Sequence, residues 1–151
     1  MTTTFETLDE LRSAAGQHLG HTDWLEIDQE RVNLFADATG DHQWIHVDVE
    51  RAKDGPFGGP IAHGFLTLSL SNLFLPQLLA VPGASAGINY GTGKVRFPSP
   101  VPVGSRVRAG AEIVAVDEIA GGVQTTITIT IEVEGTDKPA CVIESLSRWM
   151  A

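Results

Sequence analysis

The chain has 151 residues, a formal net charge of −9 and a single cysteine, Cys141. This length predicts one domain over residues 1–151 with one hydrophobic core, and the acidic balance argues against an extended nucleic-acid or anionic-membrane surface. A lone cysteine excludes an intramolecular disulfide, so we expect a buried structural thiol in a reducing compartment.

The beginning of the chain is predicted to form two helices with a strand between them. A short helix is expected over 8–15, and the mixture of Trp, Leu and Ile with polar neighbours over 19–27 favours a strand. Asp28 is a suitable N-cap for a second helix, whose apolar residues share one face as far as Thr39. Gly40 stands where a residue in the left-handed conformation would end that helix.

Segment 61–81 contains no Asp, Glu, Lys or Arg. It is long enough to span a membrane, but polar residues dilute it and no aromatic or cationic anchors flank it. A buried helix from about His63 is therefore the better prediction. Pro76 leaves open whether this helix kinks or ends there. The amino terminus carries no secretory signal, which favours a cytoplasmic protein that does not bind membranes.

The remainder of the chain is predicted to form long antiparallel strands. Segments 106–116, 123–133 and 140–149 have the length and composition of strands, with turns at 120–122 and 134–139. In the middle strand, alternate residues should face one way: Val123, Thr125, Ile127, Ile129, Ile131 and Val133. The order of elements predicts an α+β domain in which a strongly twisted antiparallel sheet wraps the long buried helix.

The stretch GDHQWIH at 40–46 places a carboxylate and two imidazoles just past a predicted helix end. On a continuous helix, Asp41 and His46 would be separated by about 140° around the axis. If Gly40 ends the helix in a left-handed conformation, both side chains can turn into one pocket. Together they can position and deprotonate a water molecule. The alternatives are a carboxylate that caps backbone N–H groups and an imidazole with a structural hydrogen bond.

A second interpretation pairs His42 with His46 in a His-x-x-x-His spacing, which on a helix puts two imidazoles on one face for zinc. In zinc proteases with the related His-Glu-x-x-His pattern, the Glu is the general base. Gln43 occupies that position here and cannot take a proton, which excludes a hydrolytic zinc site of that kind. We therefore predict no metal.

Three blocks carry the most specific motifs of the sequence: FADATGDHQWIHVD at 35–48, GPIAHGFLTLSLSN at 59–72 and RFPSPVPVGSRV at 96–107. In order and spacing they resemble the MaoC-like, (R)-specific enoyl-CoA hydratases. The resemblance implies the hot-dog fold, in which a sheet wraps a long helix. It also implies reversible syn addition of water to a trans-2-enoyl thioester, giving an (R)-3-hydroxyacyl product.

By this resemblance, Asp41 and His46 match the catalytic residues of the family. Asp41 would be the base toward the water, and His46 the proton donor or relay toward C2. The backbone N–H of Gly64 matches the oxyanion donor to the thioester carbonyl. A free N–H group at a helix start favours the negative charge that develops on an enolate.

His63 and Gln43 are further candidates for substrate binding. His63 either contacts the substrate or orients the loop through a structural hydrogen bond. The family's Asn-Pro is Gln43-Trp44 here, so Gln43 is expected to contact the substrate through its carboxamide and Trp44 to reshape the acyl pocket. This departure puts substrate preference in question more than reaction type.

Coenzyme A carries phosphates, which require cations at the mouth of the pocket. Lys94 and Arg96 alternate on one predicted strand face, and Arg106 and Arg108 do so on the next strand. We expect Lys94 and Arg96 to bind the substrate, and the other two to lie on a solvated surface. No cofactor is implied, because the coenzyme A thioester is itself the substrate, and the resemblance implies a homodimer.

Two other functions stay open on the sequence alone. A hot-dog acyl-CoA thioesterase would use a carboxylate to activate water against the thioester carbonyl, but such enzymes do not usually combine an Asp-x-x-x-x-His pair with His-Gly. A non-catalytic acyl-thioester-binding subunit, or a dehydratase partner, would have no need of Asp41 and His46.

Overall fold

The computed structural model describes residues 1–151. In chain order the elements are β1 (Thr3–Thr4), α1 (Leu8–Arg12), β2 (His18–His21), β3 (Leu25–Glu26), α2 (Gln29–Thr39), α3 (Trp44–Val47), α4 (Val49–Lys53), α5 (Gly64–Ser69), α6 (Ser71–Leu78), β4 (Leu79–Ala80), β5 (Ala86–Arg96), β6 (Arg106–Ile119), β7 (Gly122–Val133) and β8 (Cys141–Met150). None of the helices combines the length and the apolar composition that crossing a lipid bilayer requires.

One antiparallel sheet forms the frame of the molecule. Its strands lie in the order β2, β6, β7, β8 and β5, and β3 also pairs with β6. The strand predicted over 19–27 is therefore two short strands that both pair with β6. The three predicted long strands are β6, β7 and β8. β6 is longer than predicted because its pairing with β7 continues to the turn at Gly121.

The alternation predicted for the middle strand is confirmed. All six residues of its predicted inner face are buried: Val123, Thr125, Ile127, Ile129, Ile131 and Val133. The register places Ile127 opposite Ile113 and Ile129 opposite Ile143, so three strands contribute to one apolar layer. Fully burying one such side chain stabilises a fold by about 1.5–3 kcal/mol. This layer is the surface on which the helices pack.

The predicted long helix is two helices, α5 and α6, which meet at Leu70. Pro76 lies inside α6 and does not end it, since α6 continues to Leu78. Every fourth side chain faces the sheet and is buried: Leu66, Leu70, Phe74 and Leu78. The face of the helix pair that points away from the sheet is exposed to solvent, with Phe65 68% and Leu73 42% exposed. The sheet thus wraps one face of the helix pair, and the only correction is that the predicted single helix is two shorter ones.

The predicted boundaries of α2 are confirmed. Asp28 caps its beginning by accepting a hydrogen bond from the N–H of Arg31 at 2.9 Å. Gly40 follows its last residue with φ of 83°, the left-handed conformation that stops a helix. α1 is shorter than predicted and ends at Arg12. The stop at Gly40 matters most, because the chain changes direction there.

Cys141 begins β8 and is buried. Burial raises the pKa of its thiol to about 11. Such a thiol stays protonated near neutral pH and is unreactive, which agrees with the predicted structural role.

Candidate active site

An open cleft of about 360 Å³ lies where α2 and α3 meet the start of α5. It is lined by Phe35, Thr39, Asp41, His46, His63, Gly64, Phe65 and Phe97. Both predicted catalytic side chains, Asp41 and His46, therefore reach one cleft. His63 and Gly64, from the second motif block, lie in the same place.

Asp41 reaches the cleft because α2 ends at Thr39 and only the cap residue Gly40 separates them. The N–H of Gly40 donates to the carbonyl O of Ala36 at 2.8 Å, and the chain then leaves the helix. Residues 41–43 have no regular structure, and the N–H of Gln43 donates to Asp41 Oδ1 at 3.3 Å. The carboxylate of Asp41 remains exposed to the cleft.

His46 lies on the one-turn helix α3, not on the irregular backbone that was expected after Gly40. It is 6% exposed, and its Nδ1–H donates to the carbonyl O of Ile61 at 2.6 Å. This bond leaves Nε2 without a proton in the neutral ring. Burial lowers the pKa of His46 because the charged form loses hydration, and the neighbouring His63 lowers it further. The neutral ring is thus a proton acceptor near neutral pH.

His63 is 3% exposed and precedes the first residue of α5. Its Nε2–H donates to the carbonyl O of Asp41 at 3.0 Å. Its ring stacks on the ring of His46, with centroids 3.9 Å apart. The loop-orienting hydrogen bond that the sequence allowed for His63 is therefore present.

Asp41, His46 and His63 each offer one ligand atom, and these atoms all lie within 4.8 Å of one another. Stacking makes the set unsuitable for a metal ion. The two rings are inclined by only 24°, so an ion in the plane of one imidazole lies outside the plane of the other. Imidazole lone pairs lie in the ring plane, so one ion cannot lie in the planes of both rings at coordinating distance. A water molecule between the groups does not need to lie in the planes of both rings.

Gly64 begins α5, and its N–H has no hydrogen-bond partner in the protein. A Cβ at this position would lie 3.3 Å from the ring of Phe97, so a larger residue would crowd the cleft. Phe97 and Phe65 are 42% and 68% exposed, and their ring centroids are 6.1 Å apart. The free N–H therefore lies beside aromatic rings that can contact an apolar substrate.

Residues 10–135 match the model of the MaoC like domain family. The chain belongs to this family. It is 58% identical over 149 residues to 3-hydroxyacyl-thioester dehydratase Z of Mycobacterium tuberculosis (strain ATCC 25618 / H37Rv), with 98% of this chain and 99% of that protein covered. It is also 46% identical over 138 residues to Nodulation protein N of Rhizobium leguminosarum bv. viciae, with 89% and 85% covered.

Among solved structures, the (R)-hydratase from A. caviae involved in PHA biosynthesis superposes with a TM-score of 0.75 at 29% identity. The superposition covers 89% of this chain and 96% of the (R)-hydratase chain. The hot-dog fold of this MaoC-like protein is thereby confirmed, and the chain is an enzyme of the hydro-lyase class.

Gln43 and Trp44, which replace the family's Asn-Pro, lie beside the cleft and do not line it. The Gln43 side chain is exposed and makes no hydrogen bond within the protein. The Trp44 ring packs 3.0 Å from the position of a Cβ on Gly55, and the guanidinium of Arg51 lies 4.2 Å from its centroid. In the MaoC-like protein, Trp44 thus packs against α4. It does not line the cleft, although it was expected to reshape the acyl pocket.

The zinc interpretation of His42 and His46 is wrong. α3 begins at Trp44, so the two histidines do not share a helix. His42 Nε2 instead pairs with Asp37 Oδ1 at 2.8 Å on the surface. This hydrogen bond raises the pKa of His42.

The four predicted cations divide into two pairs. Lys94 and Arg96 are exposed on β5 without an ion-pair partner, and neither borders the cleft, although Arg96 directly precedes Phe97. Arg106 and Arg108 each pair with a glutamate near the end of β7. Arg106 lies on the solvated sheet surface, as predicted, whereas Arg108 is half-buried and its guanidinium lies 4.6 Å from the centroid of the Trp24 ring.

Three parts of the site were not identified from the sequence. Gln29 donates from Nε2 to the carbonyl O of His46 at 2.8 Å and so holds α3 against α2. The carbonyl of Ile61 orients the His46 ring. Neither contact has a sequence signal. Phe97 has one, because it is the aromatic residue of the third motif block.

Proposed function

We propose that this MaoC-like protein catalyses the reversible, (R)-specific addition of water to a trans-2-enoyl-CoA, giving an (R)-3-hydroxyacyl-CoA in fatty-acid metabolism. The observation that carries the proposal is the convergence of Asp41 and His46, whose ligand atoms lie within 4.8 Å of each other, beside the free N–H of Gly64. The names of the dehydratase relative and of the (R)-hydratase neighbour support the same reaction.

One water molecule fits between Asp41 and His46 as the nucleophile. Two hydrogen bonds of about 2.8 Å each are long enough to bridge such a separation. The carboxylate of Asp41 and Nε2 of neutral His46 are both acceptors. The water therefore donates one hydrogen to each group and turns its lone pair toward C3 of the enoyl chain.

His46 is the first proton acceptor in this scheme. Nε2 takes a proton from the water as the water oxygen bonds to C3, and the negative charge of Asp41 stabilises the resulting imidazolium. His46 then returns the proton to C2 on the same face, so the addition is syn and the C–S bond stays intact. This proposal retains the relay role expected for His46 and assigns the first proton transfer to His46, with Asp41 orienting the water in place of its expected role as the base.

The backbone N–H of Gly64 stabilises the enolate in this proposal. Negative charge moves onto the thioester oxygen when water attacks C3, and a fixed donor aimed at that oxygen lowers the barrier. The N–H of Gly64 has no competing acceptor within the protein. No cofactor enters the scheme, because Asp41, His46 and the N–H of Gly64 together account for the proton transfer and for the charge on the thioester oxygen.

We also propose that Lys94 and Arg96 bind the phosphates of coenzyme A. Both are free of ion pairs, and β5 leads from them directly into Phe97 at the cleft. Gln43 and His63 would border the path of the thioester. With the phosphates at Lys94 and Arg96, the acyl chain would contact the exposed rings of Phe65 and Phe97.

A homodimer is the assembly that we propose. β5 is an edge strand with one free side, and it is exposed along most of its length, including Ile88 at 48% and Tyr90 at 56%. A free edge with apolar side chains is a template for pairing with a second copy. Sedimentation analysis should give about twice the chain mass of 16.1 kDa, and a monomer would contradict the proposal. The cytoplasm is the proposed location.

The reaction is tested by mixing the purified protein with a short trans-2-enoyl-CoA. Absorbance reports the conjugated double bond, a thiol reagent reports free coenzyme A, and chiral chromatography reports the product. We expect loss of the double bond without thiol release, and the (R) product. Thiol release would point to a thioesterase, and substrate binding without either change to a non-catalytic subunit. Either result would overturn the proposal.

A further inference from the structure

His63 contacts both parts of the proposed water site. Its Nε2–H donates to the main-chain carbonyl of Asp41 at 3.0 Å, and so ties the loop that follows α2 to the beginning of α5. Because the bond is to the carbonyl, the carboxylate of Asp41 remains free to act. His63 therefore controls where Asp41 lies without using its reactive group.

The ring of His63 is held between two other rings. On one side it stacks on His46, with centroids 3.9 Å apart and planes inclined by 24°. On the other side lies Phe35 of α2, with a centroid distance of 4.8 Å and an inclination of 54°. At 3% exposure, His63 has no room to turn away from this stack. The face of the His46 ring therefore rests on His63.

We propose that His63 is a positioning residue, which fixes Asp41 and His46 relative to each other for the hydration step. This inference rests on the proposed function. Asp41 is held through its backbone and His46 through its ring face. The second nitrogen of His63, Nδ1, is buried without a partner, so no other hydrogen bond competes for the orientation of the ring.

The same stack affects the charge of His46. The titratable groups that face His46 are Asp41 and His63, and the other residues lining the cleft do not titrate. Burial has the largest effect and lowers the pKa of His46, His63 lowers it further, and Asp41 opposes both. Replacing His63 with a residue that has no imidazole removes this effect and should therefore raise the pKa of His46. Because His46 acts as a base, the acid limb of the activity profile should then move to higher pH.

Two variants separate the contacts of His63. His63→Gln can keep an N–H near the position of Nε2 but loses the stacked ring. His63→Phe keeps a ring between Phe35 and His46 but loses the donor to Asp41. The control is His18→Gln, because the His18 side chain is 79% exposed on β2. Steady-state kinetics with a short trans-2-enoyl-CoA across pH, and NMR titration of His46 without substrate, are measured for each.

We expect His63→Phe to lower kcat at least about tenfold with little change in KM, since displacing a reacting group by a fraction of an ångström is enough for such a loss. His63→Gln should keep more of kcat than His63→Phe. In both, the acid limb and the NMR midpoint of His46 should move to higher pH. His18→Gln should leave kcat, the acid limb and the NMR midpoint of His46 unchanged.

Wild-type kcat in both variants, with an unshifted acid limb and an unshifted His46 midpoint, would overturn the positioning role. The NMR titration needs no turnover, so it tests His63 even if the wild-type protein fails to hydrate enoyl-CoA. That failure would count against the proposed function alone. If His63→Phe does not fold, the NMR midpoint in His63→Gln decides the question.

Discussion

The sheet and the segment from 40 to 64 are held together in different ways. In β6, β7 and β8, alternate side chains are buried over whole strands, so many contacts support the same structure. In segment 40–64, single hydrogen bonds to main-chain carbonyls fix the reactive groups. His46 is held by the carbonyl of Ile61, and the loop of Asp41 by His63.

This difference separates stability from activity. A core substitution in the sheet should lower the free energy of unfolding while leaving each folded molecule active, because no residue of β6, β7 or β8 lines the cleft. A substitution in segment 40–64 that removes one of these hydrogen bonds should mainly lower activity, because one lost contact displaces a reactive group while little apolar burial is lost. Substitutions in each region therefore test whether stability and activity have separate structural origins.

The largest expected effect on stability is that of Ile129→Ala. Ile129 is 1% exposed in the centre of β7, and truncating such a side chain costs about 2–5 kcal/mol in the free energy of unfolding. Denaturant unfolding measures the loss, and kcat per folded molecule should stay near wild type. The control is Val114→Ala, since Val114 is 51% exposed on β6. Equal losses in the two variants would contradict this account of the sheet.

Gly40→Ala should affect both properties. A residue with a Cβ at φ of 83° is strained by about 1–2 kcal/mol, and the strain falls on the turn that carries Asp41. We expect a lower melting temperature together with lower kcat. Gly40→Asn is the matched variant, because Asn tolerates the left-handed conformation and should keep most of both. If Ala and Asn behave alike, backbone conformation at this turn is not what places Asp41.

Gly64→Ala should lower activity with little loss of stability. The added Cβ would lie 3.3 Å from the ring of Phe97, at the mouth of the cleft. A small displacement of the thioester from the oxyanion donor should lower kcat/KM by about tenfold. Gly59→Ala is the control, since a Cβ there meets no atom within 4 Å. Unchanged kinetics in Gly64→Ala would remove Gly64 from the site.

The smallest effect concerns pH. Burial lowers the pKa of His46 from its usual value of 6.5, so the neutral ring persists at more acidic pH than in an exposed histidine. The proposed base must be neutral, so activity is lost only as pH falls through the lowered pKa. We expect the acid limb of kcat/KM to have its midpoint below 6.5. A midpoint above that value would show that His46 does not act as a buried neutral base.

The sheet could be predicted from the sequence because its pattern repeats. Every second residue from Val123 to Val133 reports the same buried face, and the stop of α2 at Gly40 follows from a local rule. The pairing of Asp41 with His46 was likewise expected from the residue types and the motif. These features depend on neighbours in the sequence.

The rest of the site could not be predicted, because it depends on tertiary contacts without a local signal. α3 and α4 have 4 and 5 residues, too few to show a helical period. The carbonyl of Ile61 has no residue preference, yet it decides which nitrogen of His46 carries the proton. The stack of His46 on His63 joins residues from two motif blocks, and no spacing within either block indicates it.

A double-mutant cycle on Asp41 and His46 decides whether the two side chains act on one water molecule. If both groups hold one water molecule, Asp41→Asn and His46→Gln should each lower kcat at least about a hundredfold while the melting temperature stays near wild type. The double variant should then be barely slower than the slower single variant, because the unit is already lost. If the two losses multiply instead, or if either single variant retains the wild-type rate, Asp41 and His46 do not act on a common water molecule.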